Sequence, residues 1–210
     1  AGQVAALQNM QSGAFLTASE ARLESGFERL AGSSFALRRE IAGFGLTGSV
    51  EMGDVQLFER SGLEFSRSGT HRYPYSTLGF SLDRQLAGAK LALGASWMQE
   101  DETVLGARFA QFIGQNGARS LFIDGNGEVA LGSSWLLGAS WRQGWTYAQG
   151  GGSISGSSLL KSNAFSLDIA RPNALTSGDR IALRVAQPLR VTGGGLALNV
   201  PVSYDYATLT

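Results

Sequence analysis

Chemistry needs convergent groups, and few residues of this chain could supply them. His71 is the single histidine among 210 residues, and so the one imidazole able to serve as a general base near neutral pH. It stands in S-R-S-G-T-H-R-Y-P-Y (66–75), whose composition predicts a loop, and a surface or interface position is expected there. Serines are plentiful, yet no G-x-S-x-G turn presents one as a nucleophile. Cysteine is absent, which removes thiolate metal sites and disulfides together. Asp101 and Glu102 belong to a charged turn, Q-E-D-E, that lacks calcium-loop spacing. The glycine-rich stretch 150–156 lacks the Lys-Ser/Thr of a phosphate loop and is expected to be a flexible connection. On these grounds no catalytic residue, cofactor or metal ligand is assigned. Arg38-Arg39-Glu40 and Glu100-Asp101-Glu102 are expected to be solvated strand ends.

What remains is a set of isolated charges among small residues: Lys90, Arg142, Asp168, Arg184, Arg190 and Asp205. Their meaning depends on the elements that carry them. The clearest element is W-L-L-G-A-S-W-R-Q-G-W-T-Y (135–147). Side chains in a strand alternate between faces, which puts Trp135, Leu137, Ala139, Trp141, Gln143, Trp145 and Tyr147 together. Leu136, Gly138, Ser140, Arg142, Gly144 and Thr146 form the opposite face. A helix would scatter the four rings around its circumference. Trp135 and Trp145 are ten positions apart, roughly 25 Å at ~3.3 Å per residue and ~40° tilt, the height of an outer-membrane apolar band. Aromatic side chains favour the two membrane–water boundaries, and Trp97, Trp135, Trp145, Tyr147, Tyr204 and Tyr206 are candidates for them. Trp141 falls inside that band and Gln143 interrupts it.

The same period of two recurs along the chain. Phe35–Ile41, Leu46–Met52, Val55–Phe65, Leu78–Leu86, Ala89–Trp97, Val104–Ile113, Ser120–Ile123, Phe165–Ile169, Ile181–Val191 and Leu196–Tyr206 alternate, with turns expected at Gly88, at Asp124-Gly-Asn-Gly127 and at Gly193–Gly195. Pro172-Asn173 and Ser177-Gly178 bound a short loop. Pro188 and Pro201 each remove a ladder donor, so each should sit where its partner is bulged or missing. The fold class expected is all-β: an antiparallel up-and-down meander or barrel of roughly ten strands over 33–210. Residues 1–32 stand apart. Thr17–Glu20 has capping-box spacing, Leu23, Phe27 and Leu30 share a helical face, and Gly32 could end the helix. A helical or loop segment is expected there.

Composition narrows the class. Formal net charge is zero, which gives no argument for a nucleic-acid partner. No window approaches twenty apolar residues, so a transmembrane helix is not expected. The opening A-G-Q-V-A-A-L-Q-N-M lacks a basic leader, so an export signal would be upstream or removed. Charged residues make up 16%, glycine numbers 29, and Lys90 and Lys161 are the only lysines. A soluble sheet would show Lys, Glu and Thr on its second face. Here that face holds Gly, Ala and Ser with single charges of both signs, as suits a narrow lumen where opposed charges pair.

Taken in order, T-V-L-G-A-R-F (103–109), S-L-F-I-D (120–124), L-G-A-S-W-R-Q-G-W-T (137–146), F-S-L-D-I-A (165–170), D-R-I-A-L-R-V-A-Q-P-L-R-V-T-G-G-G-L (179–196) and S-Y-D-Y-A (203–207) carry a resemblance, with G-A-F-L-T-A (13–18) adding to it weakly. Together they resemble the C-terminal region of exported subtilisin-like serine peptidases of alphaproteobacterial type, in which an autotransporter-like β-barrel follows the peptidase. The resemblance implies a non-catalytic translocator or anchor of about twelve strands in the outer membrane of a Gram-negative bacterium. Peptidase residues would lie upstream. The implied partners are outer-membrane lipid and lipopolysaccharide, the upstream passenger domain and the outer-membrane assembly machinery. Tyr206-Ala-Thr-Leu-Thr210 departs from an aromatic-terminated closing strand. The chain is therefore expected to be a piece lacking closing strands, with open edges that self-associate or are covered by other chains. The alternative is a soluble β-rich accessory or adhesion module attached to such a peptidase.

Overall fold

Alternation of bulky apolar residues with small or polar ones makes strands from Leu30 onward. The computed structural model describes residues 30–58, 70–107, 117–132, 134–150, 153–154, 158–176 and 179–199. They form eight strands: β1 (Leu30–Ile41), β2 (Phe44–Phe58), β3 (Thr70–Leu86), β4 (Ala89–Glu100), β5 (Ala118–Leu131), β6 (Trp135–Ala148), β7 (Leu159–Pro172) and β8 (Arg180–Gly195). All pair antiparallel with their sequence neighbours, in the order β1 to β8, as one up-and-down sheet. The all-β meander expected from the period of two is present. Among the described residues the ladders run from β1 to β8 without a β1–β8 pairing, so the described sheet is not closed.

The two ends of the sheet differ. At one end the connections are short: Ala42-Gly43, Ala87-Gly88, residues 132–134 and residues 173–179. Ala42 and Gly43 both take positive φ, 52° and 78°, the pairing that closes a two-residue hairpin in step with strand twist. In the 173–179 loop the Asp179 carboxylate accepts N–H bonds from Leu175 and Thr176, both at 2.8 Å. The Thr176 N–H leads in holding that carboxyl below its ordinary range. At the other end the connections are long: 59–69, 101–117 and 149–158.

The sheet curls. Leu189 of β8 packs against a cluster of Val55, Tyr73, Tyr75, Met98 and Phe122, which come from β2, β3, β4 and β5. In a flat sheet β8 would lie roughly 14 Å from β5, three strand spacings away. One face is thereby enclosed: Ser120, Thr146, Ser162 and Ala170 are fully buried. The other face is open.

Several sequence expectations change in this frame. Asp124-Gly-Asn-Gly127 is not a turn; it lies inside β5, where Asp124 faces Arg142 and Gly125 lies against Leu93 and Trp141. The turn falls instead at 132–134, with Gly132 at φ 64°. The predicted loop around His71 is strand from Thr70 onward, because Tyr73 and Tyr75 alternate into the interior cluster. Of the expected strand Val55–Phe65, the described part, Val55–Phe58, is the continuation of β2, and Val55 switches parity because it faces inward. Val104 and Ala107 close a tight turn in place of a strand start. Gly193–Gly195 are paired within β8. Leu30 and Gly32 are strand, not helix end; residues 1–29, 59–65, 108–113 and 200–210 lie outside the described residues. Pro188 sits where expected, at the register shift between Asn163 and Phe165, where β8 carries an extra residue.

Candidate functional surface: an apolar outer band around a paired interior

The outward face is built row by row from the strand register. One row runs Phe35, Val50, Leu78, Trp97, Leu121, Trp145 and then Lys161 and Gly193. The next runs Leu37, Gly48, Phe80, Ala95, Ile123 and then Gln143, Asn163 and Arg190. Two rows further toward the short-turn end, Leu167 and Val185 are apolar and align through the ladder with Ile41 of β1. The band's edge thus slides by six residues, from Phe35 to the level of Ile41, across the seven steps from β1 to β8. Hydrogen-bond rows lie perpendicular to strands, so a slab parallel to a membrane cuts the rows of a tilted sheet obliquely. At ~40° tilt the expected slide is roughly one residue per strand.

That slide resolves the polar residue predicted to interrupt the band. Gln143 and Asn163 face each other, and the Gln187 side-chain amide donates to Asn163 Oδ1 at 2.7 Å. These three mark the band's margin on β6, β7 and β8. On β5 the outward residues run uncharged from Leu121 to Leu131, about 33 Å along the strand at ~3.3 Å per residue. Its side chains are open to the surroundings: Leu93 is 66% exposed, Leu183 64% and Phe80 57%. Trp97, Trp135 and Tyr147 are also outward and exposed, and Trp145 lies among them, partly buried. At the short-turn margin Arg84 stacks on Phe44, 4.5 Å from the ring centroid, and Arg171 on Trp135 at 5.5 Å.

The inward face holds charge in pairs. Arg142 Nε donates to Asp124 Oδ1 at 2.5 Å, directly across the β5–β6 ladder. Arg184 grips Asp168 through Nε at 2.5 Å and Nη2 at 3.2 Å. Lys90 Nζ lies 3.6 Å from Glu128 Oε1. Arg38 spans β2 at Gly45 to reach Asp83 with both terminal nitrogens, one bond at 2.7 Å. A side chain at Gly45 would occupy the space of that pair, and one at Gly144 would meet Phe122 at 2.7 Å. Small residues therefore stand opposite large ones, as a narrow interior requires. Ser120 with Thr146 (2.8 Å) and Ser140 with Ser166 (2.7 Å) bridge strands between the charges.

Toward the long-loop end the interior is filled. Glu100, expected at a solvated strand end, is fully buried. Its Oε1 accepts from Thr103 Oγ1 at 2.7 Å and Gly106 N at 2.8 Å, and its Oε2 accepts from Leu105 N at 2.8 Å. Leu105 and Gly106 take φ of 53° and 77°, turning their amides toward the carboxylate, and Leu105 packs on the Tyr73–Phe122 cluster. Ile154 of the 149–158 connection is likewise buried with Val104, Ala118 and Ala148, and it bridges Leu198.

Of the charges singled out in the sequence, Lys90, Arg142, Asp168 and Arg184 are inward and paired. Arg190 is not: the bulge at Pro188 shifts parity, and Arg190 aligns with outward Asn163. Asp205, Tyr204 and Tyr206 lie outside the described residues. Asp83, Asp124, Glu128 and Arg38 were missed as partners. Asp83 sits at inward parity in legible alternation, whereas Asp124 and Glu128 were hidden by the turn-like run at 124–127. Among the described residues no group of three or more His, Asp or Glu side chains could hold a metal ion. The side chain of His71 is outside what is described. Comparison with protein-family models, with curated proteins and with solved structures finds no match to this chain.

Proposed function

We propose that this chain is a non-catalytic outer-membrane β-barrel region that anchors or translocates the passenger of an autotransporter-like, exported subtilisin-like peptidase. The observation that carries the reading is the outward band: more than twenty large apolar side chains lie exposed, most of them contiguous across all eight strands. A monomeric soluble protein rarely leaves an apolar patch of more than a few hundred Å² uncovered. A hydrocarbon slab accounts for the band's height, its oblique slide and the aromatic and cationic residues at its margins. The short turns would then face the periplasm and the long connections the exterior.

The outer edges of β1 and β8, unpaired among the described residues, call for partners: further strands, the assembly machinery or another copy. Each described inward charge on the strands meets a partner, and the Glu100 turn packs into the same interior. That favours anchoring over passage in this part of the sheet. Membrane fractionation tests the reading. The full chain should remain with outer membranes, need detergent for extraction, and show heat-modifiable gel mobility. Recovery in the soluble fraction without detergent would sink it and leave the soluble accessory module standing.

A further inference from the structure

The two faces of the sheet differ in charge as well as in polarity. Among described side chains on strands, the inward face carries four basic residues (Arg38, Lys90, Arg142, Arg184) against seven acidic (Glu40, Glu51, Asp83, Glu100, Asp124, Glu128, Asp168). The outward face reverses this. Toward the long-loop end it carries Arg72, Arg119, Lys161 and Arg190, and toward the short-turn end Arg39, Arg84 and Arg171; Asp54 is its one acid.

Three of these cations lie along the sliding margin of the apolar band. Arg119 on β5 pairs with Tyr147, Lys161 on β7 pairs with Trp145, and Arg190 on β8 pairs with Asn163. All three are exposed, and none has an ion-pair partner among the described residues. Neighbouring strands are ~4.8 Å apart and residues rise ~3.3 Å along them. With Arg119 and Arg190 three strands and four residues apart in register, the three charges fall along roughly 20 Å of one convex rim, in the rows of Tyr147, Trp145 and Gln143. A cationic row directly above an apolar band complements one kind of surface: anionic groups held at a membrane boundary.

We propose that Arg119, Lys161 and Arg190 form a binding surface for the phosphates of anionic lipid headgroups in the leaflet at the long-loop end, an inference that rests on the membrane reading above. The amphipathic Trp145 and Tyr147 rings lie at the same level, and the guanidinium and ammonium groups reach past them to phosphate. Arginine offers a planar fork and lysine a point charge, both suited to phosphate oxygens.

The test is insertion of the detergent-refolded full chain into phosphatidylcholine vesicles with and without added lipid A, read by heat-modifiable mobility and tryptophan fluorescence. Wild type should insert at lower vesicle concentration when lipid A is present, and added salt should reduce the difference. Arg119→Gln, Lys161→Gln and Arg190→Gln should each reduce the lipid A advantage by up to about fivefold, and the triple variant should abolish it. Arg119→Lys with Arg190→Lys should retain most of it. Arg39→Gln with Arg171→Gln, at the opposite margin, should leave it in place when lipid A is confined to the leaflet at the long-loop end. Equal insertion of wild type in both vesicles would overturn the proposal while leaving the membrane reading intact. Failure to insert in either would bring down both.

Discussion

The outward and inward faces of the same eight strands invert what a soluble sheet does. Leu93 and Gly94 are adjacent on β4; the first is 66% exposed, while the second packs on Asp124 and Ser81. Asp168 is 3% exposed and Leu167, its neighbour, 50%. Apolar bulk is on the open side, and carboxylates, guanidinium groups and hydroxyls are enclosed. In bulk water that distribution is costly on both counts, because exposing a leucine and burying an aspartate each raise the free energy there. The arrangement becomes favourable when the open side meets hydrocarbon and the enclosed charges meet one another.

The comparison is most easily broken at the enclosed pair. Asp168→Ala removes the carboxylate that Arg184 grips with two bonds. It should destabilise the folded chain by about 3–5 kcal/mol, read as a shift in urea unfolding of the vesicle-inserted protein followed by tryptophan fluorescence. A neutral result would mean that the interior is wet and the pair screened. Phe80→Lys attacks the other face at mid-band, and should cost about 2–4 kcal/mol in lipid. The same variant in a soluble protein would be benign, since Phe80 is already more than half exposed. Glu100→Gln should cost less, about 1–3 kcal/mol. Its amide nitrogen would confront the Leu105 or Gly106 N–H, or the Thr103 hydroxyl, that the carboxylate now accepts from. Faster amide exchange at Leu105 and Gly106 should accompany that loss, and unchanged exchange would refute the role given to Glu100.

Which parts were legible in the sequence follows from what sets them. The period of two is a local signal, and β4, β6 and β7 could be read from Leu91–Trp97, Trp135–Tyr147 and Phe165–Ile169. The inward placement of Lys90, Arg142, Asp168 and Arg184 followed from parity alone. Parity fails where register shifts. One extra residue at Pro188 carries Arg190 to the outer face, and although Pro188 signalled an irregular position, it could not say which way parity would move. Turn chemistry failed where tertiary contacts override it: Asp124-Gly-Asn-Gly127 has hairpin residues, but the Arg142 guanidinium and the Leu93 and Trp141 side chains beside Gly125 hold it extended. Glu100 was misplaced for a similar reason. A charge run resembles a solvated turn until the amides that bury its first carboxylate are known, and those belong to a turn several residues downstream.

Asn163→Lys gives the smallest effect and the sharpest reading of the slide. Asn163 and Phe80 occupy the same ladder row, four strands apart. If depth followed the row, a lysine at either position would sit equally deep, and both variants would lose about 2–4 kcal/mol. If the sheet is tilted in a slab, four steps raise Asn163 by roughly 12 Å toward the long-loop margin. A lysine there costs about 0–1 kcal/mol, and its ammonium can reach the same boundary as Lys161. Measured side by side in one vesicle composition, a gap between Phe80→Lys and Asn163→Lys would give depth from energetics alone, independent of any label on the strands. Equal losses would mean that the band is not cut by a plane, and the outward hydrophobic surface would then need a protein partner in place of lipid.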